Sequence, residues 1–207
     1  MASATKPVTI ADLGLGNLHS VAQAFTRAGV AAHITRDPDE LRRAERLVFP
    51  GQGAFRECAE MLATDVGPAL RDFIASGRPY LGICLGMQAL FETSEESEGQ
   101  GLGVFPGRVV RFAPEMHDTA TGDRLKVPHM GWNQVDTAHP MLEDAAWYYF
   151  VHSYYVVPSD PSLVAATSDY GVRFCAAVAR DNVFACQFHP EKSHHAGARL
   201  IQRFLAQ

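Results

Sequence analysis

The sequence predicts an α/β fold on an open mixed sheet, parallel at its core with helices on both faces and carrying an antiparallel C-terminal extension. Three observations predict it. Short apolar runs alternate with amphipathic stretches through the first half of the chain, the pattern of parallel strands joined by covering helices. Beyond residue 104 the texture changes to successive strand-like runs separated by Gly, Asp and Pro turns. No repeat, linker or low-complexity tract interrupts the 207 residues, so residues 1–207 are expected to form one domain.

Taken in order, residues 8–13 read as the first strand. Leu18, Val21, Ala22, Phe25 and Ala28 then form an apolar stripe at helical spacing that stops at Gly29. Residues 31–35 and 47–49 are further strands around a helical stretch at 39–46. Residues 55–75 read as helical with a break near Gly67-Pro68, and residues 79–83 as a strand. In the second half the expected strands are 104–112, 125–127, 147–157, 163–170, 174–179 and 183–188, with a tight hairpin at Asp181-Asn182. The acidic run Ser94–Glu98 reads as a solvated helix end or loop, with Glu96 a candidate to point inward. A final helix over 197–206 places Leu200, Ile201, Phe204 and Leu205 on one face.

Composition removes several classes of function. Apolar residues make up 47% and charged residues 20%, values of an ordinary soluble globular protein. The net charge is −5 and there is no basic block, which argues against a nucleic-acid surface. No run approaches the length of a membrane span, and the N-terminus lacks the apolar segment of a signal peptide. The four cysteines have neither disulfide-framework nor zinc spacing. Cys175 and Cys186 read as core thiols. The nine histidines include the adjacent pair His194-His195 but no helical i,i+4 pair, so neither a metal nor another cofactor is expected.

Chemistry concentrates in three places. In Gly82-Ile83-Cys84-Leu85-Gly86 an apolar run ends at a cysteine flanked by glycines, followed by the helix-like stretch 87–91. This is the Gly-x-nucleophile-x-Gly arrangement of a strand-to-helix elbow. The turn lifts the nucleophile out of the sheet, the glycines avoid clashes, and the helix N-terminus favours thiolate. A buried cysteine at an ordinary strand end has the same local spelling. In the second place a strand runs out into His189-Pro190-Glu191. Alternate residues of an extended chain share a face, so Glu191 can brace the imidazole of His189 while its other nitrogen faces Cys84. A surface His-Pro turn is the competing reading. The third place is Pro50-Gly51-Gln52-Gly53, where glycines let backbone N–H groups turn to a ligand; alone it reads better as a plain turn. Gly14-Leu15-Gly16-Asn17 lacks the third glycine of a dinucleotide fingerprint, His19 standing there, and reads as a helix-start turn.

Together with Val127-Pro128-His129-Met130-Gly131-Trp132-Asn133 and Tyr149-Phe150-Val151-His152-Ser153-Tyr154, these segments resemble the class I, triad-type glutamine amidotransferases, whose fold is flavodoxin-like. The last two segments resemble one branch, the glutaminase subunits of imidazole glycerol phosphate synthases of histidine biosynthesis. The resemblance implies Cys84 as nucleophile, His189 as base and Glu191 as its orienter. It implies an oxyanion hole from Leu85 and the segment Gly51, Gln52, Gly53, and glutamine binding by Gln88, Glu96 and Tyr154. It places Asn17, Met130, Trp132, Tyr149 and Lys192 near an ammonia channel and a partner interface. The implied partner is a (β/α)₈ cyclase subunit in a heterodimer, and the implied location is the cytoplasm, where a free thiol stays reduced. Many relatives carry Val at position 52, but a side-chain change there keeps the backbone donor. Another amidotransferase of this class, a γ-glutamyl hydrolase, or a non-catalytic scaffold of the same fold remain as alternatives.

Overall fold

The computed structural model describes residues 7–14, 16–118 and 121–207. Leu15 of the expected helix-start turn and the N-terminal residues 1–6 read above for a signal peptide lie outside them. The first half alternates as expected: β1 (Val8–Ala11), α1 (Leu18–Arg27), β2 (Ala32–Thr35), α2 (Pro38–Arg43), β3 (Leu47–Gly51), α3 (Phe55–Leu62), α4 (Val66–Ala75), β4 (Tyr80–Cys84) and α5 (Leu85–Gln88). The second half contains β5 (Thr93–Ser94), β6 (Ser97–Gln100), β7 (Gly107–Arg111), β8 (His129–Thr137), β9 (Ala146–His152), β10 (Tyr154–Pro158), β11 (Val164–Asp169), β12 (Arg173–Arg180), β13 (Val183–Cys186) and α6 (His194–Leu205).

The main sheet has the order β2-β1-β3-β4-β13-β12-β11-β8-β9. Strands β2, β1, β3, β4 and β13 pair in parallel, and β13 then pairs antiparallel with β12. β1, β3, β4 and β13 are buried throughout, which is why they read as continuous apolar runs. Their alternate residues feed two cores. Leu47 and Phe49 pack with Phe55, Leu70 and Phe73 of α3 and α4 on one face. Val48, Leu81 and Ile83 pack with Val21 and Phe25 of α1 and Leu200 and Phe204 of α6 on the other. Local signals fix the helix starts. Asn17 Oδ1 accepts from Ser20 N at the start of α1, and Asp37 Oδ1 accepts from Asp39 N and Glu40 N ahead of Pro38. A small second sheet, β10-β7-β5-β6, flanks the site.

Several expectations are corrected. The helix over 55–75 breaks at 63–65, not at Gly67-Pro68. Pro68 lies in the first turn of α4, where its missing N–H has no helical partner to lose. The acidic run 94–98 is a β-hairpin whose turn is closed by Glu96 N donating to Ser94 Oγ. Residues 147–157 are two strands: β9 runs beside β8 and β10 beside β7. The chain bends at Ser153, where His152 Nδ1 bonds Tyr154 O at 2.8 Å. Residues 125–127 form no strand, and only an isolated bridge between His117 and Arg124 precedes them. β8 was not expected: its burial alternates, but Met130 and Trp132 lie on the exposed side and His129 and Asn133 on the inner side, so the hydropathy of the sequence does not alternate with it, and Gly131 lowers its β propensity. The Asp181-Asn182 hairpin is present, with Asp181 at φ 53°.

Candidate active site

Cys84 ends β4, and its register partner across the sheet is Gly51, the last residue of β3. On the other side β13 pairs Cys186 with Ile83, then runs on to Gln187, Phe188 and His189. Two adjacent parallel strands therefore deliver the thiol and the imidazole to the same end of the sheet, where ligands bind in open α/β folds. Cys84 adopts φ 54°, ψ −106°, a positive-φ conformation uncommon for a residue with a side chain. The elbow requires its glycines. A Cβ at Gly86 would lie 1.8 Å from Phe49 O, and one at Gly82 2.7 Å from Gly86 O. The helix expected over 87–91 is one turn, Leu85–Gln88, so the dipole behind the sulfur is short.

His189 and Glu191 are buried side by side, with Nδ1 and Oε1 2.9 Å apart. The pairing does not come from a fully extended segment. His189 is extended, but Pro190–Lys192 is a 3₁₀ turn that folds Glu191 back. Among the described residues, His189 Nε2 has no hydrogen-bond partner, nor has Glu191 Oε2. Burial acts to lower the His189 pKa. The Cys84 sulfur and the Glu191 carboxylate outweigh it and raise the value to about 9. The imidazole is thus held as a cation beside the sulfur. Gln187, two residues before His189, donates from Nε2 to Cys84 Sγ at 3.5 Å and accepts from Gln88 Nε2 at 3.1 Å.

A cavity of about 300 Å³ opens over the thiol, lined by Gln52, Gly53, Cys84, Leu85, Gln88, Glu96 and Tyr154, all site residues expected from the sequence. Pro128, Val151, His152 and Ser153 complete it. Gln88 also donates to Tyr154 O at 3.2 Å. Glu96 does point inward, and its carboxylate accepts from Phe55 N at the start of α3. Sequence reasoning missed Gln187 and His152. The first was legible, since residues 187 and 189 share a face of an extended segment. The second was not, because its placement depends on the bend at Ser153.

The family model for glutamine amidotransferase class-I matches residues 9–207. The chain belongs to the class-I glutamine amidotransferases. This amidotransferase is 53% identical over 205 residues to the imidazole glycerol phosphate synthase subunit HisH of Syntrophotalea carbinolica, covering 95% of this chain and 98% of the relative. It is 52% identical to the HisH subunit of Methylococcus capsulatus, with coverage of 96% and 95%. A solved glutamine amidotransferase superposes with TM-score 0.73 at 21% identity, covering 96% of this chain and 97% of that one. The PurLQS structure from Thermotoga maritima gives 0.75 at 15%, covering 97% and 98%. These two likenesses concern the fold alone.

The amidotransferase also gathers most of the residues expected at a partner surface. Trp132 on β8 meets the Tyr149 ring edge-on at 6.0 Å and stacks on His194 at 5.0 Å. Lys192 Nζ lies 5.8 Å from the Tyr149 ring centre. Met130, two residues before Trp132, is 62% exposed and Trp132 42%. Asn17 is exposed but stands apart. It caps α1 and lines a small cleft with Gln52, His189 and Glu191. The strand carrying Tyr149 is tied to the base: His189 N donates to Tyr149 O, while Ser193 Oγ accepts from Tyr149 N and donates to His189 O.

Proposed function

We propose that this chain, as a single domain, is the glutaminase subunit of an imidazole glycerol phosphate synthase. The observation that carries the chemistry is Cys84 on its positive-φ elbow beside the buried His189–Glu191 pair. The Cys84 sulfur attacks the side-chain amide carbon of glutamine. Backbone N–H groups of Leu85 and of Gly51, Gln52 and Gly53 receive the oxyanion. His189 gives its proton to the departing nitrogen, and ammonia leaves a γ-glutamyl thioester on Cys84. His189 then takes a proton from water, which attacks the thioester and releases glutamate and the thiol. Glu191 keeps the Nδ1 hydrogen of the ring in place throughout. Gln88, Glu96 and Tyr154, which line the cavity beside the sulfur, hold the glutamine.

Ammonia passes to a separate (β/α)₈ cyclase chain, which forms imidazole glycerol phosphate and aminoimidazole carboxamide ribotide in histidine biosynthesis. The near full-length likeness to HisH subunits supports this partner, and the exposed Met130 and Trp132 with the half-buried Tyr149 and Lys192 suit the docking face. A reduced cytoplasm suits the free thiol. The test separates ammonia production from its use. In the reconstituted complex, Cys84→Ala abolishes glutamine-dependent synthesis and leaves synthesis from added ammonium intact. If ammonium supports the wild-type complex but not the variant, the thiol has another role and the reading fails.

A further inference from the structure

Gln52 touches the base with its side chain. Its amide nitrogen is 3.3 Å from His189 Nδ1, the atom that also lies 2.9 Å from Glu191 Oε1. Gln52, His189 and Glu191 line one cleft, and Gln52 also lines the cavity over Cys84. The sequence points to the backbone donor of residue 52, and the side-chain contact with His189 adds to that reading.

A ring nitrogen carries either a hydrogen or a lone pair, and the two neighbours of Nδ1 ask for different ones. Glu191 needs a hydrogen on Nδ1. The NH₂ of Gln52 needs a lone pair there, which moves the hydrogen of a neutral ring to Nε2. That second tautomer has no lone pair on Nε2, the nitrogen that must take the proton of the attacking water once ammonia has left. We propose that Gln52 is a positioning residue that opposes Glu191 at Nδ1 and holds His189 back as a base while the segment 51–53 keeps its present place. The proposal rests on the glutaminase reading and adds a control on the same site. Magnitudes make Gln52 a partial brake. A bond to a charged carboxylate is about twice as strong as a neutral one, so Glu191 outcompetes the amide without removing its influence.

The brake is connected to the surface. A Cβ at Gly16, whose φ is +92°, would lie 2.7 Å from Gln52 N, so the loop before α1 abuts the Gln52 backbone. Asn17, exposed on that loop, is within reach of a docked partner. Displacing the loop frees the Gln52 peptide and draws its amide off the ring.

The test compares wild type with Gln52→Met, which keeps the volume and backbone N–H but lacks the amide, and with Gln52→Ala. In the isolated chain both variants raise kcat for glutamine about fivefold with KM little changed, the effect of one neutral hydrogen bond. The alkaline limb of the pH profile, set by loss of the His189 proton, moves up by about half a unit because an opposing donor is gone. The other groups facing the ring stay as they are. These are Cys84 on β4, Glu191 on the same turn and His152 on β9, held neutral by burial; Cys186 on β13, a neutral buried thiol, neighbours Cys84 and Glu191. Nitrogen-15 signals of the ring report the tautomer without turnover, and both variants shift the neutral ring toward Nδ1–H. A Met variant with wild-type turnover, limb and ring signal overturns the proposal, and so does a limb that moves down. If no variant and no complex hydrolyses glutamine while the ring signal still responds to residue 52, the glutaminase reading fails and the amide contact stands.

Discussion

Cys84, His189 and Glu191 were each legible as residues because strand ends, glycine spacing and a His-Pro-Glu run mark local geometry. What joins them was not legible. Gln52 and His189 are 137 positions apart, and no local pattern encodes the 3.3 Å between them. The glycines of the elbow illustrate the strength of local constraint. Gly86→Ala forces a methyl into the space of Phe49 O, a backbone atom with no rotamer to yield. The expected result is destabilisation by about 3 kcal/mol, at the upper end for overpacking, seen as a lowered urea midpoint. Glutaminase turnover falls as well, since β3 carries the Gly51–Gly53 segment. Gln187→Leu tests a missed residue. Gln88 Nε2 loses one of its two acceptors while the backbone is untouched, and a rise in glutamine KM is expected from steady-state kinetics.

Among the elements, β8 and β9 carry what the sequence showed least. Their pairing brings His129 opposite His152. His152 Nδ1 donates to Tyr154 O, its Nε2 accepts from His129 Nδ1, and His129 Nε2 accepts from Asn133. Every ring nitrogen is used with both rings neutral, so a proton on either breaks a bond. Burial lowers His129 to about 4, and burial together with its neighbour lowers His152 to about 3. Both folded values lie below the unfolded 6.5, so the folded state binds fewer protons. Stability from the pair is complete above pH 6.5 and is lost as pH falls towards 3, by up to about 1.4 kcal/mol per pH unit for each proton. His189 works in the opposite sense: its raised value gives stability that is complete below pH 6.5 and lost through about 9. Thermal melts at pH 7 and 4.5 should show a fall in Tm that His152→Asn reduces. An unchanged pH dependence in that variant refutes the assignment.

At the scale of the whole molecule, the alternation of strands and helices announced the parallel half, and the change of texture near residue 104 announced the antiparallel half. The strand order was not readable, since β13 comes last among the strands yet lies between β4 and β12. The exposed aromatic patch was read only through resemblance, because one indole in a polar strand carries no local signal. On the proposed reading Trp132 anchors the cyclase. Trp132→Ala should weaken the complex by about 2 kcal/mol or more, typical of a central aromatic, measured by titration calorimetry with the partner chain. Unchanged affinity refutes the anchoring role.

The late position of β13 has a consequence for synthesis on the ribosome. Until residues 183–186 emerge, β2-β1-β3-β4 and β12-β11-β8-β9 have no strand between them, and each presents an open edge. A nascent chain of that length already contains Cys84 but neither Gln187 nor His189, which follow β13. The step that closes the sheet is therefore the step that brings the imidazole to the thiol. Polypeptides terminated before β13 keep open sheet edges and lack the imidazole that ammonia release requires, so the thiol meets glutamine in working form only in chains elongated past His189.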